Sequence, residues 1–154
     1  MLPKHILVPS DLSEAAEQAL QYACELGRLL GSQIHLLNVI SIPALGVPEL
    51  GVALTASMID ELVVNNQDAL ERLARTRCTA NLGQVMVRTG DARDVINETA
   101  QELGIDLIIM GTHGRRGLSR ALLGSVAETV VRSAPCAVLT VRLRDAHLGD
   151  RDAA

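Results

Sequence analysis

The residues best suited to chemistry lie in one glycine-rich run. It reads Gly111-Thr112-His113-Gly114, then nine residues, then Gly124-Ser125-Val126. Arg115, Arg116 and Arg120 fall inside it, and no acid lies between Gly111 and Ser125. Glycines let the backbone approach a ligand closely and turn its N–H groups toward it. A helix starting near Ser125 adds unpaired N–H groups and about half a positive charge. Together these parts form an anion site suited to a phosphate chain. A plainer reading of the same residues stays open, with Gly111 and Gly114 as turn residues and the arginines as a solvated rim. The spacing is not that of the dinucleotide fingerprint, because the glycines here fall two residues apart on both sides of Gly114.

Other candidates are fewer. Asp11 follows Pro9 and Ser10, and its carboxylate could cap a helix, hold a sugar hydroxyl, or do both. His113 could reach a phosphate, but no second residue is spaced to orient it as a base. Ser125 lacks the His and Asp partners of an activated nucleophile. His5 and His35 fall in strand-like runs and read as packing or edge residues. The only lysine is Lys4. It follows no glycine-rich loop, so a Walker-type phosphate site is excluded, and a Schiff base would have to form at the extreme N-terminus. Cys24, Cys78 and Cys136 have no CxxC spacing and no histidine at ligand distance, so they read as buried small hydrophobes with free thiols.

The elements that must hold these residues follow from two alternating periods. Residues 5–8 (HILV) are a short apolar run ended by Pro9, the mark of a buried strand. Residues 10–14 (SDLSE) offer several N-caps, including Asp11 and Glu14 at capping-box spacing. Ala16, Ala19, Leu20, Ala23, Leu26 and Leu30 then recur at helical spacing, and Gly31 can end that helix in the left-handed region. Residues 34–40 form a second strand. Residues 42–54 are an apolar loop with two prolines and two glycines. A helix is expected over about 55–77, a strand over 82–89, and a helix capped by Asp91 and stopped by Gly104. A strand over 106–110, a helix from Ser125 to Pro135 and a strand over 136–141 complete the chain.

Strands that are apolar throughout, alternating with helices, predict one α/β domain: a parallel sheet covered on both faces. Ligands of such sheets bind beyond the carboxyl ends of the strands, where the strand order reverses. The informative residues are therefore 9–11, 39–41, 89–91 and 111 onward.

Composition narrows the function. The chain has 154 residues, 48% of them hydrophobic, enough for one domain with a core of its own. It has no Trp, no Phe and one Tyr, Tyr22, which leaves almost no platform for stacking nucleic-acid bases. The net charge of −4 has the wrong sign for a general duplex binder. No run approaches the ~18 apolar residues of a membrane span. Lys4, His5 and Asp11 interrupt the only apolar start, so no signal peptide is expected, and with scattered thiols this points to the cytoplasm.

The run from Gly111 to Ser125, after residues 107–110 (LIIM), resembles the ATP-binding signature of the universal stress protein family. The opening ILVPSDLSEAAEQAL and the closing PCAVLTVR resemble that family too. The likeness spans residues 3–142, so 1–142 form the domain and 143–154 a polar tail. It implies a Rossmann-like, three-layer α/β/α sandwich with a five-stranded sheet in the order 3-2-1-4-5. It also implies site roles: Asp11 and Gly111 on the ribose, the Val39 backbone on the adenine edge, and Met110 against the base. Pro9 and Ser10 would line the pocket, with His113 and Arg115 near the phosphates that Gly114, Gly124, Ser125 and Val126 cradle. The implied ligand is ATP, ADP or AMP, with Mg²⁺ or Mn²⁺ carried on the phosphates. The implied assembly is a homodimer through the last strand, and the implied role regulatory. The alternative is slow ATP hydrolysis or phosphotransfer at the same place, for which the sequence offers arginines but no evident acid pair.

Overall fold

The computed structural model describes residues 2–41, 56–78, 81–112 and 124–142. The elements alternate throughout: β1 (His5–Pro9), α1 (Glu14–Leu30), β2 (Gln33–Ile40), α2 (Ala56–Arg77), β3 (Asn81–Thr89), α3 (Ala92–Glu102), β4 (Leu107–Gly111), α4 (Ser125–Ser133) and β5 (Ala137–Val141). All strand pairs are parallel, in the order β3-β2-β1-β4-β5. The order reverses between β1 and β4, which places the crevice of an open α/β sheet between their carboxyl ends.

The strands are apolar on both faces because both faces are covered. Side chains alternate along each strand. Ile6, Val8, Ile34, Leu36 and Ile109 point toward α1 and α2, where they meet Ala19, Leu20, Ala23, Leu70 and Ala74. Leu7, Leu37, Ile108 and Met110 point the other way, against Val95, Ile96 and Ala100 of α3 and Ala127 and Val130 of α4. Two aliphatic cores replace a single aromatic one. Truncating any of these buried Leu or Ile side chains to Ala should cost about 2–5 kcal/mol.

Helix ends follow local chemistry. Gly31 closes α1 at φ 70°, as expected. Asp91 caps α3 by accepting from the Arg93 amide at 2.9 Å. The cap of α1 is Ser13, whose hydroxyl accepts from the Ala16 amide, and not Asp11. Asp11 stands one layer further out. Its Oδ1 accepts from both the amide and the hydroxyl of Ser13 and so orients the cap.

One expectation from the sequence is corrected and another is narrowed. Cys24 and Cys78 are not free thiols but form a disulfide with Cα atoms 5.4 Å apart. They are buried, as expected, in the same core between α1, α2 and the sheet. The sequence showed no link because the two, 54 positions apart, are brought together by the fold and not by any local turn. Of the packing and edge readings of His35, packing is the one it takes. It lies in β2, an interior strand, and is 5% exposed. Its Nδ1 accepts the Gln84 amide at 3.1 Å where the β2–β3 register shifts between Ile34 and Leu36. Gly83 makes room for the ring, since a Cβ there would lie 2.5 Å from it.

Candidate functional site

Every described site candidate lies at the carboxyl edge of the sheet. Pro9 ends β1, and Ser10 and Asp11 form the turn into α1. Val39 stands near the end of β2, half-buried, and Met110 and Gly111 end β4. Gly124, Ser125 and Val126 open α4. His113, Gly114 and Arg115, like Arg116 and Arg120, lie outside the described residues, as do loop 42–54 and tail 143–154.

Backbone hydrogen bonds close this edge. The Thr112 amide donates to the Val141 carbonyl at 3.0 Å, which extends β4 past its last paired residue. The Gly124 amide donates to the Thr112 carbonyl at 2.8 Å. That bond joins the two ends of the glycine-rich run and sets the start of α4 beside the end of β4. Gly124 offers no side-chain cap, so the first-turn amides of α4 face outward with the positive end of the helix dipole. Ser125 is exposed there, and Gly124 and Val126 are half-buried.

The two glycines of this edge serve different ends. Gly124 has φ −61° and ψ 149°, a conformation open to any residue. Space, and not backbone freedom, is what a side chain there would take. Gly111 packs against the first turn of α1, where a Cβ would lie 3.0 Å from the carbonyl carbon and oxygen of Ala15. That contact brings the end of β4 to the helix that Ser13 caps and Asp11 orients. The signature residues at the ends of β1 and β4 thus meet through α1.

Two features of the site were not read from the sequence. Asn38 is 4% exposed in β2. Its Nδ2 donates to the Ser10 carbonyl at 2.7 Å, and its Oδ1 accepts from Asn66 Nδ2 of α2 at 3.0 Å. A polar residue inside the run 34–40 was the available signal, because buried amides need partners. Leu12, beside Asp11, holds a left-handed φ of 63° while its side chain packs on the core. Non-glycine residues adopt that region rarely, and mostly where surrounding contacts force it.

Asp106, His35 and Cys136, whose titration is displaced, lie toward the opposite edge of the sheet. Asp106 accepts the His5 and Lys4 amides at 3.0 and 2.8 Å, and these bonds hold its carboxyl below the usual range. Burial lowers His35, with a smaller contribution from His5. Burial pushes the Cys136 thiol up, and Asp106 adds to it.

The universal stress protein family model matches residues 3–142. The chain belongs to the universal stress protein family. The chain is 33% identical over 146 residues to universal stress protein MJ0531 of Methanocaldococcus jannaschii, covering 92% of this chain and 83% of that protein. The solved universal stress protein UspA from Lactobacillus plantarum superposes with a TM-score of 0.77 at 29% identity, covering 90% of this chain and 97% of that one. A universal stress protein from Archaeoglobus fulgidus, solved in complex with dAMP, superposes with a TM-score of 0.60 at 26% identity over 91% of this chain and 98% of that one. Within the family this chain has the five-stranded parallel sheet and strand order expected of it. Among its described residues no helix is long and apolar enough to cross a membrane.

Proposed function

We propose that this universal stress protein binds an adenine nucleotide, ATP or AMP, at the carboxyl edge of its sheet and acts as a regulatory, stress-response protein. One observation carries the reading: the 2.8 Å bond from the Gly124 amide to the Thr112 carbonyl, which sets an uncapped helix start beside the β1–β4 crevice. The dAMP held by the Archaeoglobus fulgidus relative supports the adenine class. The amides of Gly114, Ser125 and Val126 would face the phosphates, and Gly124 would leave them room. Asp11, through the carboxylate that orients Ser13, would meet the ribose together with Gly111. The Val39 backbone would read the adenine edge, and Met110, Pro9 and Ser10 would wall the pocket. His113 and Arg115 would add positive charge near the phosphates.

Mg²⁺ or Mn²⁺ would enter on the phosphate oxygens. Among the described residues no cluster of three His, Cys, Asp or Glu side chains gathers to hold an ion by itself. The proposal is binding and slow exchange, with turnover well below the ~1 per second of ordinary enzymes. It also includes a cytoplasmic location and a homodimer through β5, an edge strand whose unpaired backbone invites a second copy.

Mass spectrometry of the protein denatured directly after purification tests the reading. Release of an adenine nucleotide in near-stoichiometric amount is the expected result. Ligand-free protein that shows no melting shift with ATP, ADP or AMP would refute it. Hydrolysis at ordinary enzyme rates would instead favour the enzymatic alternative.

A further inference from the structure

The Cys24–Cys78 disulfide ties α1 to the residue after α2, and both cysteines are 6% exposed. A groove of about 300 Å³ opens beside it, lined by Gln21, Cys24, Glu25, Arg28, Thr76 and Arg77. That is the lower end of the size range of small-molecule sites. Only Cys24 of the pair lines the groove, so an incoming thiolate meets that sulfur first. Arg28 lines the groove beside Cys24 and gives a thiol carrying carboxylates a cation to meet. Arg77 also pairs with Glu17 at 3.2 Å, but both side chains are largely solvated and such a pair contributes little. The disulfide is a covalent tie between α1 and the end of α2.

Both helices also reach the proposed nucleotide site, α1 at its first turn and α2 at its middle. The first turn of α1 carries the Ser13 cap and packs against Gly111. From α2, Asn66 holds Asn38, which holds the Ser10 carbonyl. We propose that Cys24–Cys78 is a thiol–disulfide exchange site for small carboxylate-bearing thiols, and that opening it weakens nucleotide binding by loosening α2 against α1. The second half rests on the nucleotide reading above. In the first step the thiolate of the small molecule attacks Cys24 Sγ, the Cys24–Cys78 bond breaks, and Cys78 leaves as a thiolate that takes up a proton. A second small thiol then attacks the mixed disulfide, which releases Cys24 as a thiol and one oxidised small-molecule disulfide. A cytoplasmic location agrees with this use, because disulfides that form there are mostly transient or sensory.

The test uses the full-length native protein, exposed to reduced glutathione without denaturant, then denatured and alkylated for intact-mass measurement. Before exposure one thiol, Cys136, should be labelled. After exposure all three cysteines should be, and early quenching should trap glutathione on Cys24. Arg28→Gln should slow reduction by glutathione and leave reduction by uncharged dithiothreitol unchanged. Calorimetry should show nucleotide affinity at least about fivefold lower in the reduced protein, the low end of typical coupling between sites. Cys24→Ser/Cys78→Ser should match the reduced form whatever the redox state. Resistance of the native disulfide to both thiols, or glutathione trapped on Cys78, would overturn the exchange site. Equal nucleotide affinity in the two redox states would overturn the coupling. Absence of nucleotide binding in both states would remove the nucleotide reading while the mass measurement still decides the exchange.

Discussion

Two glycine substitutions separate the packing role of Gly111 from the ligand role of Gly124. An added methyl at Gly111 would lie 3.0 Å from the carbonyl carbon and oxygen of Ala15 and 3.1 Å from its Cβ. Those are backbone atoms of a helix that packs against the sheet and is bonded to Cys78, so they cannot swing aside. Overpacking of this kind costs about 1–3 kcal/mol. At ~2–4 °C per kcal/mol for a chain of this size, Gly111→Ala should melt about 2–12 °C lower than wild type. Gly124→Val adopts the existing backbone angles without strain. It loses the cap preference of glycine over valine, about 1 kcal/mol or ~2–4 °C. Ligand response should run the other way. A nucleotide at ~100 times its dissociation constant adds ~2.7 kcal/mol, a rise of about 5–11 °C. Gly111 is also proposed to meet the ribose, so Gly111→Ala, folded below its own midpoint, should keep part of that rise, and Gly124→Val should lose all of it. The assay is thermal melting of ligand-stripped protein with and without ATP and Mg²⁺. An equal rise in wild type and Gly124→Val would refute the claim that Gly124 leaves phosphate space. An unchanged midpoint in ligand-free Gly111→Ala would refute the close packing of β4 on α1.

Acid should weaken the fold through His35. Its imidazole titrates below the usual 6.5 because burial, and then His5, disfavour the charged ring. The unfolded chain therefore binds the proton more readily, so this contribution is complete above about pH 6.5 and is lost as the pH falls below it. The bond pattern supplies the cause: Nδ1 accepts from the Gln84 amide, so Nε2 carries the proton toward His5 Nδ1 at 3.4 Å, and a second proton breaks the bond to Gln84. Urea unfolding across pH 5–7 should show a slope that His35→Gln flattens; equal slopes would exclude His35. Asn38→Ala strands the Ser10 carbonyl and the Asn66 amide, and should cost about 1–3 kcal/mol in denaturant unfolding, together with a measurable loss of nucleotide affinity. A stability loss with affinity unchanged would show that the relay does not support the site. Sedimentation at micromolar concentration should give twice the 16.4 kDa chain mass, and a monomer would exclude pairing through β5.

Element types and their order were legible because each rests on local chemistry. Period-two and period-3.6 runs of Leu, Ile, Val and Ala marked every strand and helix, Gly31 and Asp91 marked their helix ends, and the glycine run marked the loop after β4. The place of the site followed too, since a parallel sheet puts its crevice at the strand ends. The strand order was different: hydrophobic periodicity does not encode it, and it came from the family likeness of the residues before the observed strand pairing bore it out. Only the tertiary structure decided which candidates meet. Ser13 rather than Asp11 became the cap because the turn at Leu12 aims that hydroxyl at the Ala16 amide. Gly111 and Gly124 look alike in sequence, yet one packs against Ala15 of α1 and the other opens α4. Cys24 meets Cys78, Asn38 meets Ser10 and Asn66, and His35 meets Gln84 across 28 to 54 residues of chain. Such pairings are set by how helices settle on a twisted sheet, a long-range packing result that no local pattern of residues encodes.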